Sequence, residues 1–392
     1  MSGTARLYYD DPLLLAFDAR VVGRGSWQGA PSALLDRTAF YPESGGQMAD
    51  RGSLGERAVR DVQVDDAGLV HHLLDGPLPA VGEALHARID PARRRLHMAL
   101  HTGQHMLSRA LADVAEANTV SSRLGETICT IDVDRDLDEA AAARAEALVN
   151  SVVEDDLSIR AFFPDAAELA ALPLRRAPKV DSNVRVVAIG DFDVSPCGGT
   201  HCLHTAQVGL VKVTGLERYK GKMRVSFNAG RRAREELSRQ SDLLSALGRD
   251  FTCGPSDVPA AIHKLKRELS EARESLGETR ARLAERVAQE LIDGARSRGE
   301  TRVVAVFADA DVAFLRAVAK RITAEAGFVA LLAAPGEGGQ QVLAARGAGS
   351  DFDCGGFLKR IAAAHGGRGG GRPEMAEGRL TAAVDWAAAV GS

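Results

Sequence analysis

Apolar and polar positions alternate in short runs over residues 1–90, as in Leu13-Leu-Leu-Ala-Phe17 and Val62-Gln-Val64. Clusters of Gly, Pro and Asp separate the runs. Short strands broken by frequent turn signals predict a small barrel or sandwich. The period then changes. Asp90-Pro-Ala-Arg93 opens a helix, because Asp can cap the first amides and Pro is tolerated at the first helical position. The pattern carries this helix to about Asn118. It then predicts a strand over 130–134, an Ala-rich helix over 137–153, an apolar strand over 184–189 and further strands over 208–213 and 222–227. Residues 91–232 are thus an α+β unit.

From about Arg231 the pattern is helical and highly charged, with Pro255-Ser-Asp257 as punctuation. Val258, Ile262, Leu265, Leu269, Ala272, Leu276, Thr279 and Leu283 then alternate steps of four and three, the coiled-coil period. Ala and Thr stand at seam positions and Gly277 lies inside. The stripe over 233–300 therefore fits an intramolecular helical hairpin and a homodimer seam equally. A last region, 301–392, runs strand (301–307), helix (310–326), strand (328–333) and strand (341–344). The Gly-rich His365-Gly-Gly-Arg-Gly-Gly-Gly-Arg372 follows. Leu380-Thr-Ala-Ala-Val-Asp-Trp-Ala387 resumes an apolar helical pattern, so the Gly-rich string is expected to be a loop inside a small α/β domain, not a linker. The fold class is α+β multidomain.

Composition changes this picture little. The 392 residues suffice for about two to four domains. A formal net charge of -4 gives no global steering toward nucleic acid, so RNA binding would need local basic patches. Arg93-Arg94-Arg95, Arg218-Tyr-Lys220-Gly-Lys222 and Arg231-Arg232 are available, each of them ordinary solvated surface if taken alone. The five cysteines, Cys129, Cys197, Cys202, Cys253 and Cys354, are odd in number and scattered, unlike a disulfide framework. No apolar h-region follows Met1-Ser-Gly-Thr-Ala-Arg6, and no uncharged run approaches the ~20 residues of a membrane span. A reducing cytoplasm with no membrane partner is the expected setting.

The chemistry lies in two remote strings. His101-Thr-Gly-Gln-His105 puts two imidazoles four apart, on one face of the predicted helix. Thr102 and Gly103 are expected to point elsewhere, with Gln104 flanking the site. Cys197-Gly-Gly-Thr-His201 offers a thiol and a third imidazole. Gly198 and Gly199 would supply backbone angles that other residues resist. Three nitrogens and one sulfur form a ligand set that Zn²⁺ prefers. A zinc endopeptidase needs HExxH, but Thr102 follows His101, so that reading fails. Four protein ligands also describe a closed structural zinc site, unless one is loose or the ion expands its coordination. Asp191 and Asp193 are the nearest carboxylates to orient a ligand or polarise water, Asp193 being the candidate catalytic residue. Both equally suit ordinary turn positions.

At these residues the chain resembles the free-standing alanyl-tRNA editing proteins, relatives of the editing domain of alanyl-tRNA synthetase. The resemblance runs in order through Asp36-Arg-Thr-Ala-Phe-Tyr-Pro-Glu-Ser-Gly-Gly-Gln47, Asp50-Arg-Gly52, His97-Met-Ala-Leu-His-Thr-Gly-Gln-His-Met-Leu-Ser108, Val184 to His201, Gly209-Leu-Val-Lys-Val213 and Lys220-Gly-Lys222. It implies an N-terminal β-barrel (1–90), a zinc-dependent editing domain (91–232), a helical dimerisation segment (233–300) and a Gly-rich tRNA-binding α/β domain (301–392). It implies hydrolysis of the ester joining serine, or glycine, to tRNA(Ala). Zinc binding falls to His101, His105, Cys197 and His201. Gln104 would line the amino-acid pocket as a catalytic-site residue, and Ser121 or Ser122 would read the serine hydroxyl. Gln47 would lie near the acceptor end, and Arg368 and Arg372 would contact phosphate.

Overall fold

A computed structural model describes residues 3–388 except 179, 181, 298, 300, 382, 383 and 387. It is a mixed α+β, multidomain chain that divides into two units, Met1–Ala246 and Leu247–Ser392.

In the first unit, six antiparallel strands close into a barrel in the order Ala16–Trp27, Ala30–Leu35, Val70–Leu74, Arg57–Val64, Gly52–Leu54 and Ala84–Ile89. Alternation along the first strand buries Phe17, Ala19 and Val21 against Leu35, Leu54, Val62 and Ile89. This strand starts at Ala16, not Leu13, because the Asp11 side chain accepts the Leu13 amide (2.8 Å) in a turn.

The chain leaves the barrel into the Pro91–Ala115 helix, whose Asp90 cap accepts the amides of Ala92 and Arg93. The helix stops short of Asn118 because Glu116 turns into the left-handed region, at φ 52°. It packs against a four-stranded sheet in the order Val211–Tyr219, Lys222–Ala229, Cys129–Val133, Thr119–Leu124. Gly103 permits the approach: a Cβ there would lie 3.1 Å from Ala229 Cβ and 3.3 Å from Val211 Cγ2. Thr119–Leu124, too polar to be recognised as a strand, is an edge strand and mostly solvent-facing. A three-stranded sheet, Ile159–Phe162, Val186–Ile189 and Asp193–Pro196, delivers the loop that begins at Cys197.

Of the Arg93-Arg94-Arg95 run, Arg95 is exposed and Arg93 half-buried, but Arg94 is in the interior. Arg94 and Asp50 are both 0 % exposed. The Arg94 Nε lies 3.2 and 3.1 Å from the two Asp50 oxygens, and Nη1 donates to the Pro12 carbonyl at 2.6 Å. Asp50 also accepts the Tyr41 amide at 2.7 Å. This pair clamps the start of the helix to the chain segment that carries Gln47.

In the second unit, a five-stranded sheet runs Arg302–Val306, Val329–Gly336, Gly339–Arg346, Met375–Leu380, Gly367–Gly371. The first pair is parallel, joined through the Val312–Thr323 helix, and the other pairs are antiparallel. The Val258–Ser297 helix buries Ala284, Ala288, Ile292 and Ala295 in the core it shares with Val312–Thr323. The upstream stripe leucines, Leu265, Leu269, Leu276 and Leu283, are about half exposed.

The Gly-rich string corrects the sequence expectation: Gly367–Gly371 is an edge strand, not a loop. Strand pairing needs only backbone, and here side chains are excluded. A Cβ at Gly371 would meet the Met375 carbonyl at 2.5 Å, and Gly367 at φ +122° would meet that of Arg379 at 2.1 Å. Leu380 closes the partner strand rather than opening a helix. Of the apolar stretch beyond it, 382, 383 and 387 lie outside the described residues. Trp386 is buried and donates its indole N–H to the Leu331 carbonyl at 2.9 Å. Among the described residues no helix is long and apolar enough to cross a membrane.

Candidate metal centre

His101 and His105 lie one turn apart on the buried face of the Pro91–Ala115 helix. The 197–201 loop folds over them, so that one donor atom from each of His101, His105, Cys197 and His201 lies within 4.8 Å of the others. Cys197 Sγ is 3.4 Å from His101 Nε2 and 3.3 Å from His201 Nε2. Those separations match the edge of a tetrahedron around zinc, about 3.5 Å for its usual N and S distances.

The outward nitrogens are held by the protein. His101 Nδ1 donates to Gln47 Oε1 at 2.7 Å, which leaves Nε2 free as a donor to a metal. The Gln47 amide is fixed in turn: its Nε2 donates to Thr200 Oγ1 at 2.8 Å, and its Oε1 accepts the Thr200 amide at 3.2 Å. A turn at Gly45 (φ +59°) and Gly46 (φ +86°) carries Gln47 inward, and a Cβ on Gly46 would sit 2.8 Å from the Ser122 carbonyl. His201 Nδ1 is 3.2 Å from Thr102 Oγ1, which also accepts the Cys202 amide at 3.1 Å. Thr102 therefore orients a ligand and does not point elsewhere. The i+1 position on a helix points away from His101, and that is the direction from which His201 approaches. His105 Nδ1 is 3.5 Å from Asp193 Oδ2, yet among the described residues neither of its buried ring nitrogens has a hydrogen-bond partner. A buried imidazole without partners is costly, and a cation among these donors would satisfy it.

Gly199 is required for a reason other than backbone angle. Neither Gly198 nor Gly199 has a positive φ, but a Cβ on Gly199 would lie 2.1 Å from His101 Cε1. At Gly198 the nearest atom would be Tyr9 Oη, at 3.6 Å. The loop is further pinned by Arg185, whose Nη1 donates to the carbonyls of Cys197 (3.0 Å) and Gly199 (2.9 Å).

The protonation states suit a metal at Cys197 and His201; at His105 burial lowers the ring, but Cys197 and Asp193 outweigh it and raise it, so a bound cation would have to displace a proton there. Burial pushes the Cys197 thiol up, but the rings of His101, His105 and His201 outweigh it and hold the thiol well below its ordinary range. Burial drives His201 down to about 3, so this ring is neutral. A thiolate and neutral imidazoles are the forms that bind zinc.

Asp193 is 1 % exposed and does not line the cavity beside the cluster. Its oxygens accept from Arg175 Nε (2.7 Å) and Ser195 Oγ (2.8 Å). Burial raises its carboxyl, but His105 and Arg175 outweigh this and hold it well below the carboxylate range. It stands behind His105, 3.5 Å from Nδ1, and not on the cavity wall. Asp191 is exposed in the turn between the Val186–Ile189 and Asp193–Pro196 strands. Gln47 is fully buried behind His101 and absent from the cavity wall.

The cavity, about 700 Å³, is lined by His101, Cys197 and Gln104 at the cluster and by Ser121 and Ser122 beside it. Two of the four donor residues, His101 and Cys197, therefore face the cavity, with His105 and His201 behind them. Gln104 Nε2 donates to Ser108 Oγ at 2.8 Å, and Thr119 Oγ1 donates to the same oxygen at 2.7 Å. Ser121 Oγ donates to Asp132 Oδ2 at 2.8 Å. Sequence reasoning missed Thr119 as a lining residue; its two-residue spacing from Ser121 becomes a signal once the strand is recognised. Arg368 and Arg372 are exposed in the second unit, on and just after the Gly-rich strand.

Residues 184–226 match the family model described as the threonyl and alanyl tRNA synthetase second additional domain, and residues 299–390 match the DHHA1 domain. The alanyl-tRNA editing protein AlaX-L of Pyrococcus horikoshii is 30% identical over 389 residues, covering 96% of this chain and 95% of that protein. The alanine--tRNA ligase of Archaeoglobus fulgidus is 32% identical over 402 residues, covering 97% of this chain and 43% of that enzyme. The chain thus spans less than half the length of this longer relative. The C-Ala domain from Aquifex aeolicus alanyl-tRNA synthetase is 18% identical and covers 23% of this chain and 84% of that domain at a TM-score of 0.22, too slight a likeness to argue from.

Proposed function

Since the chain belongs to the alanyl-tRNA editing protein family, we propose that it hydrolyses the ester between tRNA(Ala) and a wrongly attached serine, with glycine as a second substrate. His101, His105, Cys197 and His201 hold zinc in this reading. The observation that carries it is the cluster of four donors, which reaches a cavity through His101 and Cys197 where the nearby wall is polar. Bound zinc supplies a Lewis acid at the cavity wall.

The chain's own residues supply selection. Serine differs from alanine by one hydroxyl, which a pocket built for alanine rejects only about a hundredfold. An editing cavity can require that hydroxyl as a hydrogen-bond partner and leave polar groups unpaired when alanine enters. Gln104, Ser121 and Ser122 are the lining groups available for this, with Thr119 beside them. Gln47, Thr102 and Asp193 keep the imidazoles oriented. The exposed Arg368 and Arg372 offer phosphate contacts, and the half-exposed leucines of the Val258–Ser297 helix fit a seam between two copies.

The test is deacylation of seryl-, glycyl- and alanyl-tRNA(Ala), with metal analysis of the same preparation. Serine is released, alanine is spared, and Cys197→Ala and His105→Ala lose both zinc and activity. Full activity without metal in both variants would refute the zinc assignment. Binding of tRNA with no release would leave a zinc-stabilised RNA-binding protein instead.

A further inference from the structure

A second stretch of the cavity wall, adjoining the metal loop where Arg185 donates to the Cys197 and Gly199 carbonyls and Arg176 to that of Pro196, has a different character. Arg6, Arg176 and Arg185 line it, and among the described residues no carboxylate does. This is notable in a chain of net charge -4. Aromatic rings interleave with the guanidinium groups. Arg185 lies over the Tyr9 ring, 5.0 Å from its centroid, and Arg6 Nη1 donates to Tyr9 Oη at 3.3 Å. Phe163 meets Tyr9 edge-on, with centroids 5.7 Å apart. Phe163 is nonetheless 45 % exposed, immediately after the Ile159–Phe162 strand. A large apolar ring left in solvent at a cavity wall gains by stacking on a flat partner. Arg185 is only 7 % exposed, and among the described residues its buried Nε has no hydrogen-bond partner.

Cationic groups that follow a backbone, interleaved with exposed aromatic faces, are the chemistry that holds single-stranded nucleic acid. We propose that Phe163, braced by Tyr9, stacks a base at the single-stranded 3′ end of the RNA, while Arg6 and Arg176 neutralise the adjoining phosphates. The proposal rests on the editing reading and deepens it. The wall that grips the RNA end and the wall that holds the metal belong to one cavity, so the ester between RNA and amino acid falls inside it.

The test is binding of a fluorescent single-stranded RNA ending in CCA to the full zinc-loaded chain, followed by anisotropy. Phe163→Ala weakens Kd about tenfold, within the range of one lost stack, and Phe163→Tyr restores it. Arg176→Ala lowers the slope of log Kd against log salt by about 0.7, the value for one phosphate on a single strand. Zinc content stays at the wild-type level in all three variants, which separates this from a damaged metal loop. With the mischarged tRNA, Phe163→Ala and Arg176→Ala raise KM and leave kcat within about twofold. No binding by the wild type, or equal Kd and salt slope in wild type, Phe163→Ala and Arg176→Ala, overturns the proposal. Binding that responds as described, in a protein that deacylates nothing, overturns the editing reading alone.

Discussion

Two adjacent glycines in the metal loop are expected to behave oppositely when each is changed to alanine. At Gly199 the new methyl carbon would stand 2.1 Å from His101 Cε1 and 2.3 Å from Nδ1, with Gln47 Oε1 at 3.0 Å. Carbon atoms settle no closer than about 3.5 Å, so the His101 ring must retreat by more than about 1 Å or the loop must lift by as much. Zinc sites hold their ligand distances to within about 0.2 Å, so either movement removes a ligand. The displacement also breaks the bond from His101 Nδ1 to Gln47. Gly199→Ala should therefore bind substoichiometric zinc and lose at least a hundredfold in kcat/KM, since loss of an outer-shell partner alone costs about 10–100-fold. At Gly198 the nearest atom would be Tyr9 Oη at 3.6 Å, an ordinary contact, and φ is not positive. Gly198→Ala should keep full zinc and most activity. The assay is zinc content by mass spectrometry beside deacylation of seryl-tRNA(Ala), on both variants and the wild type. Equal zinc and equal activity in the two variants would show that steric contact with His101 is not what the loop glycine serves.

Other expectations follow from the buried charges. Asp50→Asn leaves the Arg94 guanidinium without its partner, at a cost of about 3 kcal/mol in urea unfolding of the zinc-loaded protein. The double variant with Arg94→Met should lose less than the two single changes summed, and strict additivity would contradict the clamp. Asp193→Asn should weaken zinc about 10–100-fold in a chelator competition while the protein stays folded, and an unchanged affinity would remove Asp193 from the site. The hydrogen bond from Arg224 lowers the Asp132 carboxyl, against a rise from burial, with Ser121 adding to the lowering. Its stabilisation is thus present above the unfolded value of about 3.9 and fades as pH falls through the lower folded value. Carbon-13 NMR should show Asp132 titrating below free aspartate, and Arg224→Met should move it back up; no movement would deny the pair its role.

The helix that carries two ligands was legible because its signals are local: Asp90, Pro91 and the four-residue spacing of His101 and His105 act within one or two turns. The ligand set was legible from residue type, since zinc selects imidazole and thiolate wherever they stand. The edge strands were not. Thr119–Leu124 and Gly367–Gly371 lack an apolar face, and their order comes from backbone pairing with remote strands. Asp193 and Gln47 illustrate a different gap. Their residue types suit catalysis or substrate contact, yet both are buried behind His105 and His101.

What the chain alone determined is an inventory: which side chains can hold a metal, where one helix begins, and where the pattern changes period. These depend on chemistry and on neighbours a few residues away. Only the tertiary structure decided that Gly199 must lack a side chain, that Arg94 lies in the interior, and that Phe163 shares a cavity with Cys197. Each of those is a distance between residues far apart in sequence, set by how sheets and helix pack, and no local pattern encodes such a distance.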